Sequence, residues 1–146
     1  MQLTQIRNAT LILDYAGQRL LIDPFFGEKH AYPSFTGASQ NPTVDLPMPI
    51  EQIINGVTGI TVTHLHNDHF DAPAREALNK SLPLFCQPGN EAKITEYGFT
   101  DVTPVTEAGH TWNGITITRI GGHHGIGAVE NLMGMVSGFV FQAADE

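Results

Sequence analysis

The sequence predicts a mixed α/β fold, and three observations carry that reading. Through Ile22 the apolar and β-branched residues come in short runs with period two, separated by turn residues, which is the pattern of strands. From Gly59 onward strand-like runs alternate with helix-start signals, the rhythm of β-α-β units. At 146 residues and 41% hydrophobic the chain can build a core, since a chain of this size buries roughly 68–70% of its unfolded surface.

The first elements read as a meander of strands over 3–6, 10–15 and 19–22, with Ala16-Gly17-Gln18 supplying the positive-φ position of a tight hairpin. Asp23-Pro24 ends the third strand. Residues 25–49 contain Pro33, Pro42, Pro47 and Pro49 among Gly, Ser, Thr and Asn without a period, so a long loop, functional or disordered, is expected. A short segment covers 50–54. Residues 59–63 form a buried strand, and Asp71 followed by Ala72-Pro73 starts a helix to Leu78: an N-cap carboxylate, proline in the first turn and good helix formers behind it. The unit repeats with a strand over 84–86, a break at Pro88-Gly89, a helix capped by Asn90 and reaching Tyr97, and a strand over 102–105. Asn113-Gly114 is a type I′ hairpin signal leading into the strictly alternating strand 115–120. Gly121-Gly122-His123-His124-Gly125 reads as a loop, and 137–141 as the last strand.

Charge and composition narrow the function. Seven Lys+Arg against 15 Asp+Glu leave a net charge of -8, which disfavours a protein that lives by neutralising phosphates and is compatible with cation binding. No apolar stretch approaches the roughly 20 residues that cross a bilayer, and residues 1–7 lack a positively charged start leading into an apolar run, so a soluble, cytoplasmic protein is expected. The single cysteine, Cys86, makes no internal disulfide and rules out an all-Cys zinc site; it reads as a buried strand thiol.

The chemistry concentrates in Thr63-His64-Leu65-His66-Asn67-Asp68-His69-Phe70-Asp71. Three imidazoles and a carboxylate at i, i+2, i+4 and i+5 lie between a strand end and a helix cap, so one loop aims several side chains at a point. Neutral imidazole and carboxylate suit Zn²⁺ and similar ions, and burying such groups without a partner is costly. Catalytic zinc sites use three protein ligands plus an open position, so a further ligand is expected, and the glycine-flanked pair His123-His124 offers one. His30 and His110 read as ordinary surface or core histidines. Asp23 is a candidate partner for a histidine N–H as well as a turn-forming residue before Pro24.

His64-x-His66-x-Asp68-His69 resembles the H-x-H-x-D-H signature of the metallo-β-lactamase superfamily. Leu20-Leu21-Ile22-Asp23-Pro24 is similar to that family's first motif, and Gly121-Gly122-His123-His124-Gly125 to the motif bearing its third histidine. Order and spacing look closest to the metal-dependent hydrolase branch with ascorbate-6-phosphate lactonase-like proteins. The resemblance implies an αββα sandwich of which residues 1–146 carry the N-terminal part only, as one domain with a mixed β-sheet and flanking helices. It implies one metal held by His64, His66 and a third histidine, and a second approached by Asp68 and His69. His124 is preferred over His123 because it stands immediately before Gly125. Asp23 would support the metal loop, and Asp68 would orient or deprotonate the attacking water. One or two divalent ions are implied, zinc first, with manganese, iron or nickel as alternatives. The histidine at position 66, where oxygen-reducing diiron members have Glu, tilts the reading toward hydrolysis. The family's bridging Asp and last histidine are not found after Val140, and Asp145 follows the final strand too closely to be that bridge, so the chain reads as truncated or naturally shortened.

Three functional readings follow. The first is a hydrolase acting through metal-bound hydroxide on an ester, lactone, amide or phosphoester small molecule. The second is a catalytically incomplete metal-binding fragment that dimerises over an uncovered face formed by Ile115, Ile117, Phe139 and Phe141. The third, disfavoured by the charge, is a nuclease of the same superfamily. Two other scans are negative: 134–138 is not a Gly-x-Ser-x-Gly elbow, and Gly125-Ile126-Gly127 meets Glu130 where a dinucleotide loop needs glycine. Phe25, Phe26, Tyr32 and Phe35 are candidates to line a lid or to pack on the core.

Overall fold

The computed structural model describes residues 1–34 and 37–144, apart from the side chain of Glu130. Strands β1 (Gln2–Arg7), β2 (Thr10–Tyr15) and β3 (Gln18–Ile22) form the expected antiparallel meander, with Leu13 opposite Leu20 and Tyr15 opposite Gln18. The two-residue turn between β2 and β3 places Ala16 and Gly17 at φ 47 and 74, the positive values that a type I′ connection requires. Three parallel strands continue the sheet, β4 (Gly59–Val62), β5 (Leu84–Cys86) and β6 (Val102–Pro104), in the order β1-β2-β3-β4-β5-β6. Helices α1 (Ile50–Ile54), α2 (Ala72–Ala77) and α3 (Glu91–Glu96) make the crossovers. A second, antiparallel sheet has the order β7 (His110–Trp112), β8 (Ile115–His123), β9 (Met135–Gln142), with α4 (Ala128–Met133) between β8 and β9.

These elements make three layers. On one face of the first sheet Ile12, Leu21, Ile60, Val62 and Leu84 pack with Ile53, Ala74, Leu78 and Ile94 of the helical connections. On the other face Leu13, Tyr15, Leu20 and Phe85 pack with Ile115 and Ile117 of β8, and with Phe139 and Phe141 of β9. The central strands are therefore covered on both sides, which is why β4 is buried at every position and carries no polar–apolar alternation. This is helix–sheet–sheet, the αββα arrangement with one of its helical layers.

Several expectations need correction. The face of Ile115 and Ile117 is not uncovered: both are buried between the sheets, because β7–β9 fold back over the first sheet. That face gives no ground for dimerisation. Gly121-Gly122-His123 is not loop but the end of β8, paired through to His123 opposite Met135; the glycines hide the strand from a propensity reading without breaking its ladder. The sequence reading left α4 out and started β9 two residues late. Asn90 stands at the start of α3, but its side chain makes no capping hydrogen bond. Phe35 and Asp145 lie outside the described residues.

Candidate metal centre

The loop at 63–71 is fastened at both ends by carboxylates. At its start Asp23, just past β3 and held at φ 45, accepts from the Thr63 backbone N–H at 2.7 Å, from Thr63 Oγ1 at 2.7 Å and from His69 Nδ1 at 2.8 Å. At its end Asp71 caps α2 by accepting from Ala74 N at 3.0 Å. Between them the Phe70 N–H donates to His66 O at 3.0 Å, closing a turn that brings His69 back beside His64. Parallel strands β3 and β4 place Asp23 and Thr63 at the same end of the sheet, so the two motifs meet although 40 residues separate them.

The imidazoles converge from both sheets. His64, at the end of β4, is 3% exposed; its ring centroid lies 4.5 Å from that of His66, 4.0 Å from His69 and 4.7 Å from His124. His124 arrives from the second sheet, immediately after β8, and stacks on His66 at 4.8 Å. One ring nitrogen each of His64, His66 and His124 lie within 4.8 Å of one another. His123 is exposed on β8 and outside that group. Asp68 and His69 line the same cavity without belonging to the three-histidine group. Burial, reinforced by the three neighbouring imidazoles, pushes His64 down to about 3, so it is neutral near pH 7. His69 goes the other way: burial lowers it, but the hydrogen bond and charge of Asp23, with Asp68 adding, raise it overall.

The hydrogen bonds assign the protons. His69 Nδ1 donates to Asp23, and His124 Nδ1 donates to Gly134 O at 3.1 Å. Thr63 gives its hydroxyl proton to Asp23, so its oxygen accepts from His64 Nδ1 at 3.1 Å. In the Nδ1–H tautomers that these bonds select for His64 and His124, Nε2 keeps its lone pair. The Nε2 atoms of His64 and His124 stand 3.2 Å apart, two lone pairs facing each other. Neutral imidazoles so arranged, each with Nδ1–H anchored to an oxygen, form the donor set of a metal site. The residues present therefore fit a divalent cation.

A cavity of about 650 Å³ opens over the imidazoles. Tyr32, Pro33, Ser34 and Asn41 of the long loop form one wall, and Leu65, Leu132 and Met133 give apolar contact. Of the loop aromatics, Phe25 and Phe26 pack in the interior and Tyr32 reaches the cavity. The sequence reading took Asp71 only as a cap and did not single out Arg7, yet together they hold this wall. Asp71 also accepts from Phe26 N at 3.1 Å, Gly27 N at 2.6 Å and Tyr32 Oη at 3.2 Å. Burial and Asp71 push the Tyr32 phenol up to about 12. Buried Arg7 donates to the carbonyls of Phe25, Gly27 and Val44. A Cβ on Gly27 would come within 2.6 Å of Tyr32 Cε2 and 2.9 Å of Asp71 Oδ2, so only glycine lets the strap lie this close. Neither role has a local signature, because both partners are distant in sequence.

Residues 18–146 match the model of the Beta-lactamase superfamily domain. The chain belongs to that superfamily. The family's relatives include UPF0173 protein YddR of Bacillus subtilis, 41% identical over 152 residues that take in 100% of this chain and 59% of that protein. A possible metal-dependent hydrolase from Veillonella parvula superposes with a TM-score of 0.91 at 40% identity, covering 99% of this chain and 59% of its own. An isothiocyanate hydrolase from Delia radicum gut bacteria superposes with a TM-score of 0.86 at 37% identity, over the same 99% and 59%. The chain thus spans about three-fifths of the length of these family members. No helix among the described residues is long and apolar enough to cross a membrane.

Proposed function

We propose that this chain carries the metal-binding half of a hydrolase that adds water to a small-molecule electrophile. The observation that carries the reading is the convergence of His64, His66 and His124 from two sheets, with His64 and His124 turning unprotonated Nε2 atoms toward each other. These three would hold one ion, and zinc is the first candidate for an all-imidazole set. His69, with Nδ1 on Asp23, and Asp68 line the same cavity and would approach a second ion. A divalent ion there would supply Lewis acidity, polarising the electrophile and acidifying water. Asp68, exposed on the cavity lining, is the carboxylate available to orient the attacking water and accept its proton.

The apolar contacts from Leu65, Leu132 and Met133 favour a neutral substrate, an ester, lactone or amide, over a phosphoester. Similarity to the isothiocyanate hydrolase adds a fourth class, the electrophilic carbon of an isothiocyanate. The alternative of a metal-binding piece without turnover of its own is favoured by the shared length of 59%. Association between copies stays a proposal on another surface, the outward face of the second sheet, where Ile120 and Val140 are exposed. Purification without chelator or histidine tag, elemental analysis, and turnover of an aryl ester, a γ-lactone and an alkyl isothiocyanate test these readings. Near-stoichiometric metal with turnover supports the hydrolase, metal without turnover supports the metal-binding piece, and no metal after supplementation refutes both.

A further inference from the structure

We infer that Gln87, a residue outside the histidine motifs, is the positioning residue that sets the third imidazole against the other two. The inference rests on the metal reading above and concerns how the two sheets are held in register at the site. Val62 of β4 is paired with Cys86 of β5, so Gln87 lies one step past the ladder, level with Thr63 and adjacent to the strand that delivers His64. Its side chain turns to the other sheet. It is 5% exposed, accepts from Ser137 Oγ at 2.7 Å and donates from Nε2 to the Met135 carbonyl at 3.2 Å. Ser137 in turn accepts from Arg119 Nε at 2.7 Å, and Arg119 pairs with Glu107.

Met135 is the first residue of β9 and follows Gly134, whose carbonyl takes the proton of His124 Nδ1. One amide therefore grips the strand end whose neighbouring carbonyl orients the imidazole. Glycines at 121, 122, 125, 127 and 134, the last two at positive φ, flank α4 in the β8–β9 tip, and the ladder that ends with His123 opposite Met135 stops one residue short of Gly134. A buried primary amide suits this task because it presents a donor and an acceptor side by side, matching the carbonyl and hydroxyl it meets. With Gln87 in place the Nε2 lone pair of His124 is aimed at His64. Without it the end of β9 is held by the ladder to β8 alone, so the Gly134 carbonyl, and with it the tautomer and direction of His124, is less firmly set. Groups bonded directly to a ligand, as the Gly134 carbonyl is to His124, change metal affinity about 10- to 100-fold when lost, so Gln87, acting through the strand end that carries this carbonyl, should change it by a smaller factor of about 3- to 10-fold.

The test is Co²⁺ titration, followed by visible absorption, of the wild type, Gln87→Ala, His124→Ala and the double variant. The expected result is binding by the wild type, about 3- to 10-fold weaker binding by Gln87→Ala with an altered Co²⁺ spectrum, and no further loss from Gln87→Ala once His124 is gone. Equal Co²⁺ affinity for the wild type and Gln87→Ala overturns the positioning role, as does the same loss with and without His124. A wild type that binds no Co²⁺ instead overturns the metal reading itself. Should Gln87→Ala not fold, Gln87→Met keeps the length and bulk of the side chain without its donor and acceptor and adds no charge, and the same cycle applies. Nitrogen-15 NMR of the metal-free wild type, at about pH 8 where histidine is neutral, should show the His124 proton on Nδ1. A proton on Nε2 overturns the inference without any variant.

Discussion

Replacing Asp23 with asparagine isolates the contact that ties the family's first motif to the histidine loop. The substitution keeps the size of the side chain and tolerates the φ of 45, since asparagine visits that region at least as readily as aspartate. It removes the charge and one of two acceptor oxygens. The remaining carbonyl can still take the Thr63 N–H, while the new NH₂ faces Thr63 Oγ1 and His69 Nδ1, now 2.7 and 2.8 Å from a carboxylate oxygen. Thr63 can rotate its hydroxyl to accept, but His69 Nδ1–H meets another donor and must move its proton to Nε2. Two charge-assisted bonds, about 1.5–3 kcal/mol each, are exchanged for one neutral bond of about 1 kcal/mol, so the metal-free chain should lose roughly 2–5 kcal/mol. Asp23→Ala should lose about 1–2 kcal/mol more, because alanine pays for the left-handed backbone as well. In Asp23→Asn the influence that raises His69 is mostly gone while burial still lowers it, so its titration must shift down. The sign for stability follows. A raised histidine adds stability below its unfolded value of about 6.5 and loses it as pH rises through the folded value, so the gap between wild type and variant should be widest in acid. Urea unfolding across pH and an NMR titration of His69 measure both effects. A His69 that titrates at or above its wild-type value, or a stability loss under about 0.5 kcal/mol, would refute this account of the loop.

Other expectations follow from the same contacts. His124→Ala should lower bound metal, measured by elemental analysis, whereas His123→Ala should leave it near the wild-type level; equal loss in both would remove the assignment of His124. Because His64 is held neutral down to about 3 in the fold but titrates near 6.5 when unfolded, the metal-free chain should lose up to roughly 3–5 kcal/mol as pH falls between those values, and His64→Gln should flatten that acid limb in urea unfolding. Arg7→Lys cannot span the carbonyls of Phe25, Gly27 and Val44 together, so amide exchange at Tyr32 and Asn41, which are bonded to each other across the loop, should accelerate well beyond that in β2. Ile117→Ala, at a fully buried position between the sheets, should cost about 2–5 kcal/mol by denaturant unfolding; a cost under about 1 kcal/mol would mean the second sheet is not packed as described.

The meander and the parallel strands were readable in the sequence because each is short, apolar and bounded by turn residues whose conformational demands are local. The histidine loop was readable for a similar reason: its ligands lie within six positions, and strand end and helix cap are both visible in the sequence. The end of β8 was not, because Gly121 and Gly122 have no strand propensity and are held there by pairing with Ser137 and Val136 of β9. Nor was α4, a helix of six residues between glycines, where propensity is too weak to register. The expectation of a bare apolar face failed because strands β7–β9 already provide a second sheet, which no local pattern announces.

The sequence by itself announced the donor types of the site, since H-x-H-x-D-H between a strand and a capped helix places three imidazoles and a carboxylate on one short loop. The resemblance of residues 20–24 to the family's first motif pointed to Asp23 as a supporting carboxylate, and the pairing of β3 with β4 brings it to Thr63. Tertiary structure separated two adjacent histidines that the motif's Gly125 only ranked: β-pairing carries His123 along the ladder opposite Met135, and His124, one residue on, turns its Nε2 to His64. It alone decided the cavity wall, for Arg7 and Asp71 act on carbonyls and amides 18 to 45 residues away. It alone placed Gln87 between the sheets. Local spacing can specify what a loop presents, but which groups meet across two sheets depends on strand order and register, and those are set by the packing of the whole chain.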